Sequence, residues 1–120
     1  AEVLGDAAEA EKMSEEIRLK TEAAWKYLYD EKAGLFVSGK ERQINYANQV
    51  WMILAEVADV KICGEILDRG IALKPEKGMV SPYMNHHFVE ALLLTGKKEQ
   101  AMDYMKYYWG GMIGHGADTF

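Results

Sequence analysis

The chain has 120 residues, 49% of them hydrophobic, which is enough apolar material for one domain with a core and too much for a disordered tail. Its 14 basic and 19 acidic residues give a net charge of -5 with no basic stripe, which argues against nucleic acid as a partner. No run approaches the roughly 20 apolar residues needed to span a bilayer, so no membrane partner is expected, and Cys63 stands alone, so no internal disulfide can form.

Asp6 followed by Glu9 is an acidic form of the capping box and opens a first helix from Ala7 to about Tyr29. Met13, Ile17, Ala24, Trp25 and Leu28 mark one face, and Glu15, Glu16, Arg18, Lys20 and Glu22 fill much of the rest, so this helix has a wet side. Gly34 is its expected stop. The next helix, about Tyr46 to Ala58, carries "VWMILAEV" and is apolar nearly all round; it must be covered on both sides, which makes it an inner helix with Trp51 and Met52 in the core. After a turn at Asp59, "VKICGEILDRGIAL" sets Ile62, Cys63, Ile66, Leu67 and Ile71 against Lys61, Glu65, Asp68 and Arg69, the pattern of an outer helix. Ser81 and Pro82 are an N-cap and first-turn proline for a second inner helix, "YMNHHFVEALLLT", with Phe88 in the core and Gly96 as its stop. Residues 97–109 form a second outer helix, with Ala101, Met102, Met105, Tyr108 and Trp109 on its apolar face. The glycines of "GGMIGHG" predict a loop from 110 onward; no Lys-Ser/Thr follows and no strand precedes, so it is not a phosphate loop.

The pattern repeats. A shift of 37 residues lays Tyr46 on Tyr83, Asn48 on Asn85, Trp51 on Phe88 and Tyr83 on Phe120, so the final stretch reads as a third copy of the loop that precedes an inner helix. The links from inner to outer helix are short, whereas those from outer to inner helix, about 31–45, 74–81 and 110–120, are long. In a stack of antiparallel hairpins the long links share one end, and loops on a rigid scaffold carry binding chemistry.

At this point "YDEKAGLFVSGKERQINYANQVWMILAEVAD" and "SPYMNHHFVEALLLTGKKEQAMDYMKYYWGGMIGHGADTF" resemble the catalytic domain of bacterial α-L-rhamnosidases, glycoside hydrolase family 78, over most of residues 25–120. The Gly-Ala-Asp-Thr-Phe ending and the "GLFVSG…RQ" loop are its most specific parts. The resemblance implies an all-α fold of antiparallel helical hairpins, a partial (α/α)6 barrel of about five helices, with residues 1–120 a single segment of that six-hairpin domain. It implies carbohydrate, a rhamnoside, as the partner of the intact enzyme, inverting hydrolysis, and no cofactor. It also implies a general-base glutamate just beyond Phe120 and a general acid in earlier hairpins, so no catalytic residue is assigned here. Inversion needs two carboxyl groups about 6.5 to 9.5 Å apart, and the segment alone is expected to be inactive.

Candidate substrate-binding residues are Arg42, Tyr46, Tyr83, His86, Trp109, His115 and Asp118. Arg42, Gln43, Asn45 and Tyr46 can donate to sugar hydroxyls or simply anchor the loop and cap the helix, while Tyr46 and Trp109 offer stacking faces. Asp118 falls on Ser81 in the repeat and is read as an N-cap or a substrate contact. His86 and His87 with Glu90 have the spacing of a metal pair on one helix, but the sequence holds no second ligand cluster and no metal is expected. Ser38 and Ser81 lack a glycine elbow, so no Ser/His/Asp triad is supported. The alternative is a helical-repeat module binding a protein or peptide, since "EALLLTGKKEQAMDYMKYY" reads like a solenoid unit; such arrays need polar capping repeats, and here the apolar inner helices recur to the edge. Inner helices left bare predict self-association of the fragment.

Overall fold

The computed structural model describes residues 1–75 and 78–118. Its elements, in chain order, are α1 (Ala7–Leu28), β1 (Tyr29–Asp30), β2 (Leu35–Phe36), α2 (Tyr46–Leu54), α3 (Val60–Leu73), α4 (Pro82–Leu94) and α5 (Lys98–Gly114), after a single 3-10 turn at Glu2–Leu4. The five helices match the all-α expectation. The small antiparallel ribbon, pairing Tyr29 with Phe36 and Asp30 with Leu35, was not foreseen.

The Asp6 carboxylate accepts the Glu9 amide at 3.0 Å, so α1 begins where its cap predicts. Its early turns are held by their own ion pairs, Arg18 with Glu15 and Glu22 and Lys20 with Glu16, and α1 has no buried residue. Met13 is 50% and Ile17 63% exposed. The core-facing stripe expected of this helix therefore holds only in its last turns, where Trp25 donates its indole N–H to the Val57 carbonyl at 2.9 Å and packs on Tyr29 and Phe36. Gly34 is not the helix stop. The helix ends at Leu28, and Gly34, at φ +67°, closes the turn of the ribbon, where Asp30 also accepts the Ala33 amide at 3.0 Å.

From α2 onward the chain folds as two hairpins, α2–α3 and α4–α5, around a core of Leu35, Phe36, Ile53, Ile66, Leu67 and Leu92. Helix α2 stops at Leu54, short of the expected Ala58, because Glu56 turns left-handed at φ +51° before Asp59 caps α3 on the Ile62 amide at 2.9 Å. Ser81 caps α4 on the Met84 amide at 3.3 Å, and Gly96, at φ +78°, turns the chain into α5. Helix α5 runs through Gly110 and Gly111 to Gly114, past the expected end at Trp109. A helical glycine costs about 1 kcal/mol, less than is needed to break a continuing helix, and the left-handed residue that does stop it is Gly116 at φ +90°.

The α2 C-terminus, the first turn of α3 and the α4 C-terminus meet at one end, where Ile53, Val60, Cys63, Leu94 and Thr95 line a common hollow and Lys97 pairs with Asp68 at 2.7 Å. At the other end the Tyr108 hydroxyl donates to the Val80 carbonyl at 2.8 Å, and Tyr46 shares a groove with Met79. Helices α2 and α4 thus run in the same direction, with the connectors that precede them at a shared end.

The repeat is real but its register is one residue shorter than the sequence comparison gives. The N-caps are Asn45 and Ser81, which superposes Gln49 on Asn85, and these are the two buried polar residues of the chain's described core. Each donates its amide to the carbonyl of its own N-cap residue, Gln49 to Asn45 at 3.2 Å and Asn85 to Ser81 at 2.9 Å. Trp51 consequently falls on His87, not on Phe88. Trp51 is 42% exposed and Phe88 5%. Met52 is partly buried against the core as expected, but Met105, at 43% exposed, lies on the wet side of α5, whose inward face is Ala101, Tyr104 and Tyr108.

Candidate functional site

The connector end presents two different surfaces. On one, the exposed sides of α2 and α4 bring together Trp51, Tyr83, His86, His87 and Glu90. The His87 ring sits 4.7 Å from Trp51 and 4.6 Å from Tyr83, edge-on to the latter, and its Nδ1 is 2.9 Å from Glu90 Oε2. Its Nε2 is buried without a partner. This follows from the helix period, since Tyr83, His87 and Glu90 succeed one another at i, i+4 and i+7 along α4. His86, on the adjacent side of the same turn, is exposed, with its ring 5.2 Å from that of His87. An aromatic wall with imidazole and carboxylate groups at its edge can stack a ring and bond hydroxyls.

On the other surface a groove of about 690 Å³ runs between α3, α4 and α5, floored by Phe88 and Leu92 and edged by Tyr46, Tyr104, Tyr107 and Asp103. Much of its polarity is already committed. Tyr104 donates its hydroxyl to the Asn85 side chain, and Tyr108 is held by Val80. Burial, reinforced by the neighbouring tyrosines, pushes the Tyr104 phenol above its ordinary pKa.

The seven candidate residues are distributed over both surfaces. Tyr83 and His86 lie on the first; Tyr46 lies in the groove, its ring 6.1 Å from Phe88. Trp109 packs against Tyr108 at 4.9 Å beside the groove. Arg42, left-handed at φ +49°, reaches the Tyr27 carbonyl at 3.3 Å and Asp30 at 3.7 Å, partners that tie the connector to the end of α1. The Ala33 amide, with Arg42 assisting, holds the Asp30 carboxyl below its usual range. His115 Nδ1 lies 2.7 Å from the Gly111 carbonyl; a carbonyl only accepts, so Nδ1 carries the proton and the side chain closes the end of α5. Asp118 is exposed, and its cap role, like the match of Phe120 to Tyr83, falls on residues outside those described.

Sequence reasoning missed Trp51 as a surface group and named Glu90 only as a spacing partner of His86 and His87. The signal was present in the i, i+3 step from His87 to Glu90, but Trp51 in an apolar helix reads as core. His86, His87 and Glu90 place one ligand atom each within 4.8 Å of the others, so this trio is the arrangement among the described residues able to hold a metal ion.

No family model matches the sequence, and no curated protein matches it. Among solved structures the chain is similar to a rhamnosidase from Klebsiella oxytoca with rhamnose bound, at a TM-score of 0.92 and 36% identity. The match covers 96% of this chain and 22% of that one, so the chain spans about a fifth of the length of the protein it resembles.

Proposed function

With the fold and many of the residues of a rhamnosidase segment as premise, we propose that this chain is part of a glycoside hydrolase acting on α-L-rhamnosides. The single observation that carries the reading is likeness along nearly the whole chain, at an identity well above what shared fold alone requires, to a protein that holds rhamnose. In this reading α2 and α4 are inner helices of an (α/α)6 barrel and α3 and α5 outer ones. The connector end is the mouth of the sugar pocket, and Tyr83 and His86 are the members of the candidate set that face it. Arg42 and His115 support the connectors, consistent with their internal partners. Tyr46, Trp109 and Asp118 act from the neighbouring groove and rim.

The chemistry proposed for the intact enzyme is inverting hydrolysis. One carboxyl group protonates the departing oxygen while another activates water on the opposite face of the sugar. Those two carboxylates are supplied by other parts of the enzyme, so the segment alone does not hydrolyse rhamnosides. Proton transfer by each such group contributes about 10² to 10⁴ in rate, a loss that binding residues do not replace.

Proton NMR of an aryl α-L-rhamnoside incubated with the intact enzyme tests the reading. The first-formed free sugar is expected to be β-L-rhamnose, appearing before mutarotation. First-formed α-anomer would remove the inverting mechanism, and hydrolysis of other aryl glycosides but not the rhamnoside would remove the substrate class.

A further inference from the structure

The pairing of His87 with Glu90 poses a problem of protons. If Nδ1 carries the hydrogen, Glu90 accepts it at 2.9 Å and Nε2 is left as a bare acceptor, buried and without a donor. If Nε2 carries the hydrogen, it can point at the faces of the rings around it, a weak but real N–H···π contact, with Trp51 4.7 Å and Tyr83 4.6 Å away. Then, however, Nδ1 and the carboxylate face each other as two acceptors. A cation held by Nδ1 and the carboxylate together removes the conflict, as a second proton on the ring also would.

The third group needed to hold such a cation is already in place. His86, Glu90 and His87 contribute one ligand atom each within 4.8 Å, from a single stretch of α4. Bonds of about 2.0 to 2.2 Å from zinc to imidazole nitrogen and carboxylate oxygen require the ligand atoms to lie within about 4 Å of one another, so closing on an ion needs a shift of less than about 1 Å. His86 and Glu90 are exposed and free to make it. The donor set of two imidazoles and one carboxylate suits a borderline divalent ion. A metal on Nδ1 also fixes the hydrogen of His87 on Nε2, which leaves that buried N–H with the rings of Trp51 and Tyr83 as its neighbours.

We propose that His86, His87 and Glu90 form a coordination site for a divalent transition ion of the zinc class, with water completing the shell and Trp51 packed behind His87 as a built-in reporter. Among the described residues, no other exposed acidic group has this combination of imidazoles and an unpartnered buried nitrogen. The site shares His86 with the sugar reading, but its test involves no carbohydrate, so the two readings can fail separately.

The test is titration of the 120-residue chain with zinc by calorimetry, and with nickel or copper by quenching of tryptophan fluorescence. One equivalent is expected to bind saturably. Because the ligands are only a few, His86→Ala and Glu90→Gln are each expected to weaken binding by about tenfold or more, the scale on which even outer-sphere partners act. His115→Ala, which removes the exposed imidazole outside the trio, should leave it unchanged. His86 and Glu90 are exposed, so circular dichroism should report the same helix content in both variants. Absence of saturable binding overturns the proposal. So does binding that follows His115 instead of His86, or binding indifferent to Glu90→Gln.

Discussion

Gln49 does the work of a missing strand. The ribbon has only two strands, and the outward backbone groups of Phe36 would be left bare in the core; the Gln49 side chain accepts the Phe36 amide at 2.9 Å and donates to its carbonyl at 2.8 Å. Gln49 is 1% exposed, so no water replaces these bonds. Gln49→Ala orphans both groups and should destabilise the chain by about 3 kcal/mol or more, read as a lower urea midpoint. Tyr104 sets a second expectation. With its pKa raised by burial, the phenol stays neutral in the folded chain at a pH where the unfolded chain, near the ordinary value of 10.0, has begun to release its proton. The unfolded state then holds fewer protons, so this contribution is complete below pH 10 and is lost as pH rises through the folded value. Tyr104→Phe should lose about 1 kcal/mol at neutral pH with its bond to Asn85, and the difference from the parent chain should shrink on going alkaline. Neither role was legible. A glutamine between Asn48 and Val50 reads as a polar break in an apolar helix, and its partner lies thirteen residues upstream on a strand that no alternation announces.

Caps and stops decide the elements. Asp6, Asn45, Asp59 and Ser81 each accept an amide three residues on, and the helices they open begin where the sequence places them. Ends are harder to read, because a left-handed glycine and a helical glycine are the same letter. Gly34 and Gly116 are left-handed, whereas Gly110 and Gly111 are helical with open space where a Cβ would stand. Gly111→Ala should therefore stabilise α5 by about 0.4 to 1 kcal/mol, seen as slower amide exchange along its last turns. Gly116→Ala should do the reverse, by about 1 to 2 kcal/mol for an alanine forced left-handed. The candidate site was half legible for a related reason. The helix period places Tyr83, His87 and Glu90 in one row, but which side of an all-apolar helix faces outward depends on neighbours, and this is why Trp51, read as core, stands at the surface while Phe88 is buried as expected.

At the scale of the molecule, the order of the two hairpins was readable because α2 and α4 are apolar over more of their circumference than α3 and α5, and the surface area shows what that order leaves uncovered. A compact monomer of 13.6 kDa exposes about 6,600 Å², and its radius of gyration is about 14 Å. This chain exposes 8478 Å² with a radius of gyration of 16.7 Å. The excess is about 1,900 Å² relative to the scaling law, more than the roughly 800 Å² each partner contributes to a stable protein interface. Part of it is apolar: Ile17 on α1 and Leu93 and Leu94 on α4 are among the exposed large side chains. Burial at about 25 cal/mol per Å² favours covering such faces, and a second copy of the chain can supply the cover. Sedimentation should therefore give a mass above 13.6 kDa that grows with concentration, and Leu94→Glu combined with Ile17→Glu should return it toward the monomer by making that burial costly. A chain that stays at 13.6 kDa up to the highest soluble concentration would mean that these faces are tolerated in water, and the proposed self-association would be wrong.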